Sequence, residues 1–65
     1  MPKYPETHVN LSGEDGNAFS IIGRTCAALK KSGVGHEEVE TYRNEATSGD
    51  YDKVLQTTMS WVATS

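Results

Sequence analysis

The sequence is poor in cysteine and lacks long apolar runs. Its one thiol, Cys26, cannot form an internal disulfide, whereas a secreted scaffold of this size is normally held together by four or more cysteines. No window approaches the roughly 20 apolar residues of a membrane span, and the first residues lack the apolar segment of a secretory signal. These absences argue against a disulfide-rich secreted protein or a membrane protein and favour a soluble protein of the cytoplasm.

The chain is also short, at 65 residues. A chain of this length buries only about 60% of its unfolded surface, so its core is thin. An enzyme cleft of roughly 300 Å³ with a rigid shell behind it hardly fits such a core. We therefore expect a single domain over residues 1–65, with residues 1–7 flexible and the function on the outer surface.

The first part of the chain has the pattern of a strand followed by a turn. Apolar and polar residues alternate over residues 8–11, which predicts a short strand. Residues 12–17 contain two glycines and several polar turn-formers, which is typical of a turn that leads into a helix. Asp15 or Asn17 would cap that helix.

A first helix is predicted from Ala18 onward. Lysines at positions 30 and 31 complement the dipole of its last turn, and Gly33 can take the left-handed conformation that ends a helix. Apolar residues at helical spacing define its inner face: Ile21, Ile22, Thr25, Ala28 and Leu29, with Phe19 near the start.

Two further helices are predicted in the second half. One begins near His36, where a first turn rich in glutamate is favourable, and ends at Gly49. Asp50 can cap the next helix. The apolar stripe of the second helix consists of Val39, Tyr42 and Ala46, and that of the third consists of Tyr51, Val54, Leu55, Thr58 and Val62, with Met59 and Trp61 beside them.

These elements predict a mostly α fold, a small three-helix domain with a short N-terminal extended strand. The β-branched and aromatic residues of the C-terminal segment leave an alternative open. In that α+β alternative, residues 57–64 form a strand that pairs with residues 8–11.

No residue pattern predicts catalysis or a metal site. Cys26 is far in sequence from His36, and a free cysteine is usually a small buried apolar residue. His36 and Glu40 lack the second histidine of the zinc motif H-E-x-x-H, and the loop at residues 13–17 contains acids but no lysine or arginine to hold a phosphate. We expect a non-enzymatic protein with no catalytic residues, no metal and no cofactor.

Charge is distributed unevenly along the chain. Residues 35–52 hold six acids and one base, Arg43, a net charge of −5, whereas residues 1–34 have a net charge of +1. If the carboxylates share one side, they imitate a run of backbone phosphates and suit a basic groove on another protein. The plainer interpretation is that they are solvated and complement helix dipoles. The six acids are Glu37, Glu38, Glu40, Glu45, Asp50 and Asp52.

Two stretches of the chain resemble a known family. They are V-N-L-S-G-E-D-G-N-A-F-S-I-I-G-R (residues 9–24) and E-A-T-S-G-D-Y-D-K-V-L-Q (residues 45–56). Together they look like a family of small bacterial proteins carried by phages and mobile elements. Some small acidic proteins of that setting are anti-CRISPR inhibitors that resemble DNA in charge, so the resemblance implies an inhibitor of a CRISPR effector.

The leading hypothesis is a non-enzymatic inhibitor or adaptor, favoured as a monomer, that docks these six acids into a basic nucleic-acid-binding complex such as a CRISPR effector. Tyr42, Tyr51 or Trp61 could anchor the contact if exposed. Direct binding to nucleic acid or a membrane is not expected. The alternative is a small DNA-associated regulatory accessory protein that uses its first four bases: Lys3, Arg24, Lys30 and Lys31.

Overall fold

The computed structural model describes residues 1–11 and 18–65. The expected turn, and the helix cap at Asp15 or Asn17, lie outside these residues. The elements follow one another along the chain as β1 (Tyr4–Val9), α1 (Ala18–Lys31), α2 (His36–Ala46), α3 (Tyr51–Trp61) and β2 (Val62–Thr64).

The predicted fold class is confirmed, because three helices follow an extended N-terminal segment. The C-terminal strand of the alternative is also present, but it covers only Val62–Thr64 and pairs with β1 in parallel. β1 lies at Tyr4–Val9, earlier than expected, so residues 4–7 of the segment expected to be flexible belong to the strand. The strand begins before residues 8–11, whose alternation predicted it. Tertiary contacts hold the earlier residues in place, because Thr7 is buried and the Tyr4 ring stacks on Trp61 in the C-terminal half of the chain.

The pairing of the two strands is irregular near its start. Tyr4 pairs with Val62 and His8 with Ala63, so the register shifts between these two pairs. Pro5 lies inside the shifted stretch and has no N–H to donate to a ladder. Parallel strands need a long crossover connection, and the three helices provide it.

The end of α1 follows the sequence prediction. Gly33 has a φ of 87°, in the left-handed region that favours glycine. Its N–H donates to the Lys30 carbonyl and the N–H of Val34 donates to the Leu29 carbonyl, each at 3.0 Å. These two bonds satisfy carbonyls that a helix end leaves without partners.

The predicted stripe of α2 is confirmed, since Val39, Tyr42 and Ala46 are fully buried. The helix ends at Ala46, three residues before Gly49. The Thr47 N–H still makes a helical bond to the Arg43 carbonyl, but the next N–H, of Ser48, donates to the Glu45 carbonyl three residues back at 3.2 Å, which tightens the chain and ends the α-helical pattern.

The cap of α3 is confirmed as well. The Asp50 carboxylate accepts a bond from the Lys53 N–H at 3.2 Å. Val62, expected on this helix, lies instead in β2, where it is fully buried.

A polar contact joins the helices inside the core. The Tyr42 hydroxyl lies 2.6 Å from Thr58 Oγ1, and both residues are inaccessible to solvent. Burial raises the pKa of Tyr42 above its usual value of 10.0, and hydrogen bonds with Thr25 and Thr58 partly offset the rise. Tyr42 therefore links α2 to α1 and α3.

In the part of the chain that the structure describes, no helix combines the length and the apolar character needed to cross a membrane.

Candidate protein-binding surface

Helix α2 carries four of the six predicted acids and presents them on two sides. Glu37 and Glu40 are three residues apart, so they share the side opposite the buried stripe. Glu38 and Glu45 are seven residues apart and flank that stripe. Glu40 pairs with Arg43 at 3.5 Å in an exposed geometry, which contributes little energy.

Glu38 and Glu45 take part in a cluster around Trp61. The Lys3 ammonium donates to Glu38 Oε1 at 2.8 Å and lies 4.5 Å from the centre of the Trp61 ring. The Tyr4 ring stacks on the indole with centroids 5.9 Å apart. Trp61 Nε1 donates to Glu45 Oε1 at 3.2 Å. We call these five residues the Trp61 cluster.

Contacts within the Trp61 cluster reduce the negative charge that Glu38 presents to a partner. Its hydrogen bond with Lys3 lowers the pKa of the Glu38 carboxyl and raises the pKa of the Lys3 ammonium. Glu38 is therefore held ionised, but a cation of the same molecule compensates its charge. Glu38 and Glu45 hold the N-terminal segment and Trp61 against α2, so both carboxylates already have hydrogen-bond partners within the fold.

The two aspartates lie at the start of α3, and both are exposed. The Asp50 carboxylate caps the helix, and Asp52 lies in its first turn. Within the described residues, the Asp52 and Glu37 carboxylates form no hydrogen bond or ion pair. The six carboxylates therefore do not form one continuous row. Glu38 and Glu45 belong to the Trp61 cluster, and the outward group consists of Glu37 and Glu40 on α2 and of Asp50 and Asp52 at the start of α3.

The suggested anchors differ in exposure. Tyr42 is inaccessible to solvent and Trp61 is 4% exposed, so neither meets the condition for an anchor. Trp61 is buried because the N-terminal segment folds over it, which its position beside the α3 stripe does not reveal. Tyr51 is 42% exposed and remains available to a partner.

A shallow apolar groove of about 250 Å³ lies between the start of α1 and the α2–α3 turn. Phe19, which the sequence analysis placed near the start of α1, is 78% exposed at this groove. Sequence reasoning did not identify the groove, and the only local signal was an apolar residue displaced from the α1 stripe. Nine residues line it: Ala18, Phe19, Ile22, Ala46, Thr47, Gly49, Asp50, Tyr51 and Val54.

The four bases of the alternative hypothesis serve different parts of the fold. Lys3 belongs to the Trp61 cluster, and Arg24 donates to the Asn10 carbonyl at 3.1 Å. Lys30 and Lys31 lie in the last turn of α1, where they complement the helix dipole.

Cys26 is buried at 4% exposure, as expected for an apolar cysteine, and His36 is exposed at the start of α2. Among the residues that the structure describes, no group of three or more histidine, cysteine, aspartate or glutamate side chains could hold a metal ion.

Comparison of the chain with protein-family models, curated proteins and solved structures gives no match. The likeness to phage and mobile-element proteins therefore stays a prediction.

Proposed function

We propose that this chain is a non-enzymatic inhibitor or adaptor that acts in the bacterial cytoplasm by binding a basic protein that handles nucleic acid. One observation carries the proposal. Glu37 and Asp52 are exposed carboxylates without an ion-pairing partner among the described residues, and Glu40 has only an exposed pairing with Arg43. They give the outward side of α2 and the start of α3 a net negative charge that Arg43 and Lys53 only partly neutralise.

Such a surface acts mainly on the rate at which the two proteins associate. Carboxylates that retain their hydration shell attract a basic groove over about 10 Å at ordinary ionic strength and align the two proteins before contact. A groove that binds phosphates is then occupied by carboxylates, and nucleic acid is excluded from it. The sequence resemblance favours an anti-CRISPR protein, with a CRISPR effector as the partner.

The broad proposal is tested by retention of partners from a bacterial lysate at low and moderate salt, with and without nuclease. We expect a protein partner that survives nuclease treatment and is released as the salt concentration rises. Loss of all retained material after nuclease treatment contradicts the proposal and favours the DNA-associated alternative. A Cascade-type effector and its target DNA test the specific partner, because the protein should reduce DNA binding by that complex.

The charge contribution is tested by replacing Glu37 and Glu40 with glutamine, singly and together. The double substitution should slow association on the order of tenfold at low salt and flatten its salt dependence, because both carboxylates lie on the outward side. Glu6→Gln is the matched control, since it removes the same charge from an exposed position on β1. The control is compared with the single variants, which also remove one charge; association rates of both single variants equal to that of the control contradict a role for the α2 carboxylates.

Glu38 should not be included in that variant. Its carboxylate accepts a bond from Lys3, so Glu38→Gln also loosens the N-terminal segment and mixes a structural effect with a charge effect.

A further inference from the structure

The groove between α1 and the α2–α3 turn is too small and too open for a typical small-molecule site. Its volume of about 250 Å³ is below the usual range for ligand pockets, roughly 300 to 1,000 Å³, which enclose most of the ligand surface. Its lining is predominantly apolar. A depression of this kind suits one large apolar side chain from another protein.

Two aromatic side chains at the groove are exposed to solvent. Phe19 is 78% exposed and Tyr51 is 42% exposed. Exposed aromatic residues beside a concave apolar surface mark interaction sites more often than isolated exposed residues do. Ile22 and Val54 form part of the floor and are themselves buried in the core, so the floor is rigid.

Charge beside the groove selects among occupants. Asp50 lines it and Asp52 is next but one along the chain, while Lys53 packs the first carbons of its side chain against Gly49. A second copy of this chain, with net charge −3, brings these carboxylates close to their counterparts. Like charges across an interface oppose association, whereas lysine or arginine beside the inserted side chain favours it.

From this geometry we infer that the groove is the docking pocket for one large apolar side chain carried on a basic segment of the partner protein. The inference rests on the proposed function, because the basic partner supplies the charges that flank the inserted side chain. The outward carboxylates of α2 steer the partner, and the groove then fixes its position. Affinity should therefore depend on Phe19 and Tyr51 through the rate of dissociation, and on Glu37 and Glu40 through the rate of association.

Two synthetic peptides test the inference on the intact protein. Both consist of lysine and arginine around one central residue, which is tryptophan in the probe peptide and glycine in the control peptide. In an NMR titration, the tryptophan peptide should produce saturable shifts of the backbone amide signals of Ala46, Thr47 and Tyr51. The glycine peptide should give only weak shifts that do not saturate, at Tyr51 beside the two aspartates and near the α2 carboxylates.

Substitutions then assign the effect to the groove. Phe19→Ser with Tyr51→Ser should weaken binding of the tryptophan peptide on the order of tenfold. Met59→Ser is the matched control, because Met59 is 48% exposed and apolar but lies outside the groove lining. It should leave binding unchanged, and the amide spectra of all variants show whether the fold is retained.

Three outcomes overturn the inference. The tryptophan peptide leaves the groove signals unshifted, or the serine double variant binds it as well as the Met59 variant does. Alternatively, the groove signals shift with protein concentration alone, which identifies a second copy as the occupant. Failure of the proposed function gives a different result. In that case the double variant Glu37→Gln with Glu40→Gln associates with a basic partner as fast as the parent protein does, while the groove still binds the tryptophan peptide.

Discussion

Tyr42 is the largest side chain that is inaccessible to solvent, and it combines a large apolar area with one polar atom. Its ring contacts the Trp61 indole edge-on, with centroids 5.7 Å apart, and its hydroxyl lies 2.6 Å from Thr58 Oγ1. A buried hydroxyl without a partner costs roughly 1–3 kcal/mol, so this short contact, together with the bond to Thr25, allows the polar atom to be buried in the core. Tyr42 therefore stabilises the core, whereas the sequence suggested it as a possible anchor for a partner protein.

We expect Tyr42→Phe to lower the free energy of unfolding by about 1–2 kcal/mol. The substitution keeps the ring but removes the hydroxyl, which leaves Thr58 Oγ1 buried without this partner. Urea unfolding followed by circular dichroism measures the change.

The matched variants are Thr58→Val alone and the pair Tyr42→Phe with Thr58→Val. The pair replaces both hydrogen-bonding groups with apolar groups of similar shape, so it should lose less stability than the sum of the single changes. Strict additivity would show that the two hydroxyl groups do not interact.

At the scale of elements, glycine has opposite effects inside α1 and just beyond its end. Gly33 follows the helix with a φ of 87°, a conformation that residues with a Cβ rarely adopt. Gly23 lies inside the helix, where glycine is the least favourable residue after proline. A Cβ added at either position meets no atom within 4 Å, so backbone conformation alone decides the result.

Gly33→Ala should therefore destabilise the protein by about 1 kcal/mol, because alanine disfavours the left-handed conformation. Gly23→Ala should stabilise it by roughly 0.5–1 kcal/mol, because alanine favours the helix interior. Thermal unfolding of the two variants beside the parent protein measures both shifts. Shifts of the same sign would contradict this account of the helix end.

At the scale of the whole molecule, the two strands bring the ends of the chain together across the three helices. Val62 opens β2, is fully buried and pairs with Tyr4, whose ring stacks on Trp61. The pairing joins the N-terminal segment to the end of α3 and completes the core. Because a chain of this size is only marginally stable, this closure matters more than in a larger domain.

Val62→Ala should cost about 2 kcal/mol, the sum of the transfer energy of the two buried methyl groups that it removes and the cost of the cavity left behind. Circular dichroism and Trp61 fluorescence should both report the loss, with coincident thermal transitions, because one core contains both strands and all three helices. Val34→Ala is the control and should cost less, since Val34 is only partly buried. An equal effect of the two substitutions, or separate transitions, would contradict a closing role for the strand pair.

Much of the proposed binding surface was outside the reach of sequence reasoning. The six acids are evident from the sequence, but helical spacing alone does not reveal that Lys3 is folded against Glu38. The groove was not predicted at all, because its two walls come from segments far apart in the chain. Tyr51 is the one suggested anchor that is exposed, and it also lines that groove.

The sequence by itself determined the local features: the three helices, the left-handed end at Gly33, the Asp50 cap and the α2 stripe. These depend on backbone conformation and on bonds between residues a few positions apart, so a short window contains all the information. Only the tertiary structure decided the parallel pairing of the strands, the burial of Trp61 and the exposure of Phe19. Each of these depends on contacts between distant segments, and their energies exist only after the helices have packed.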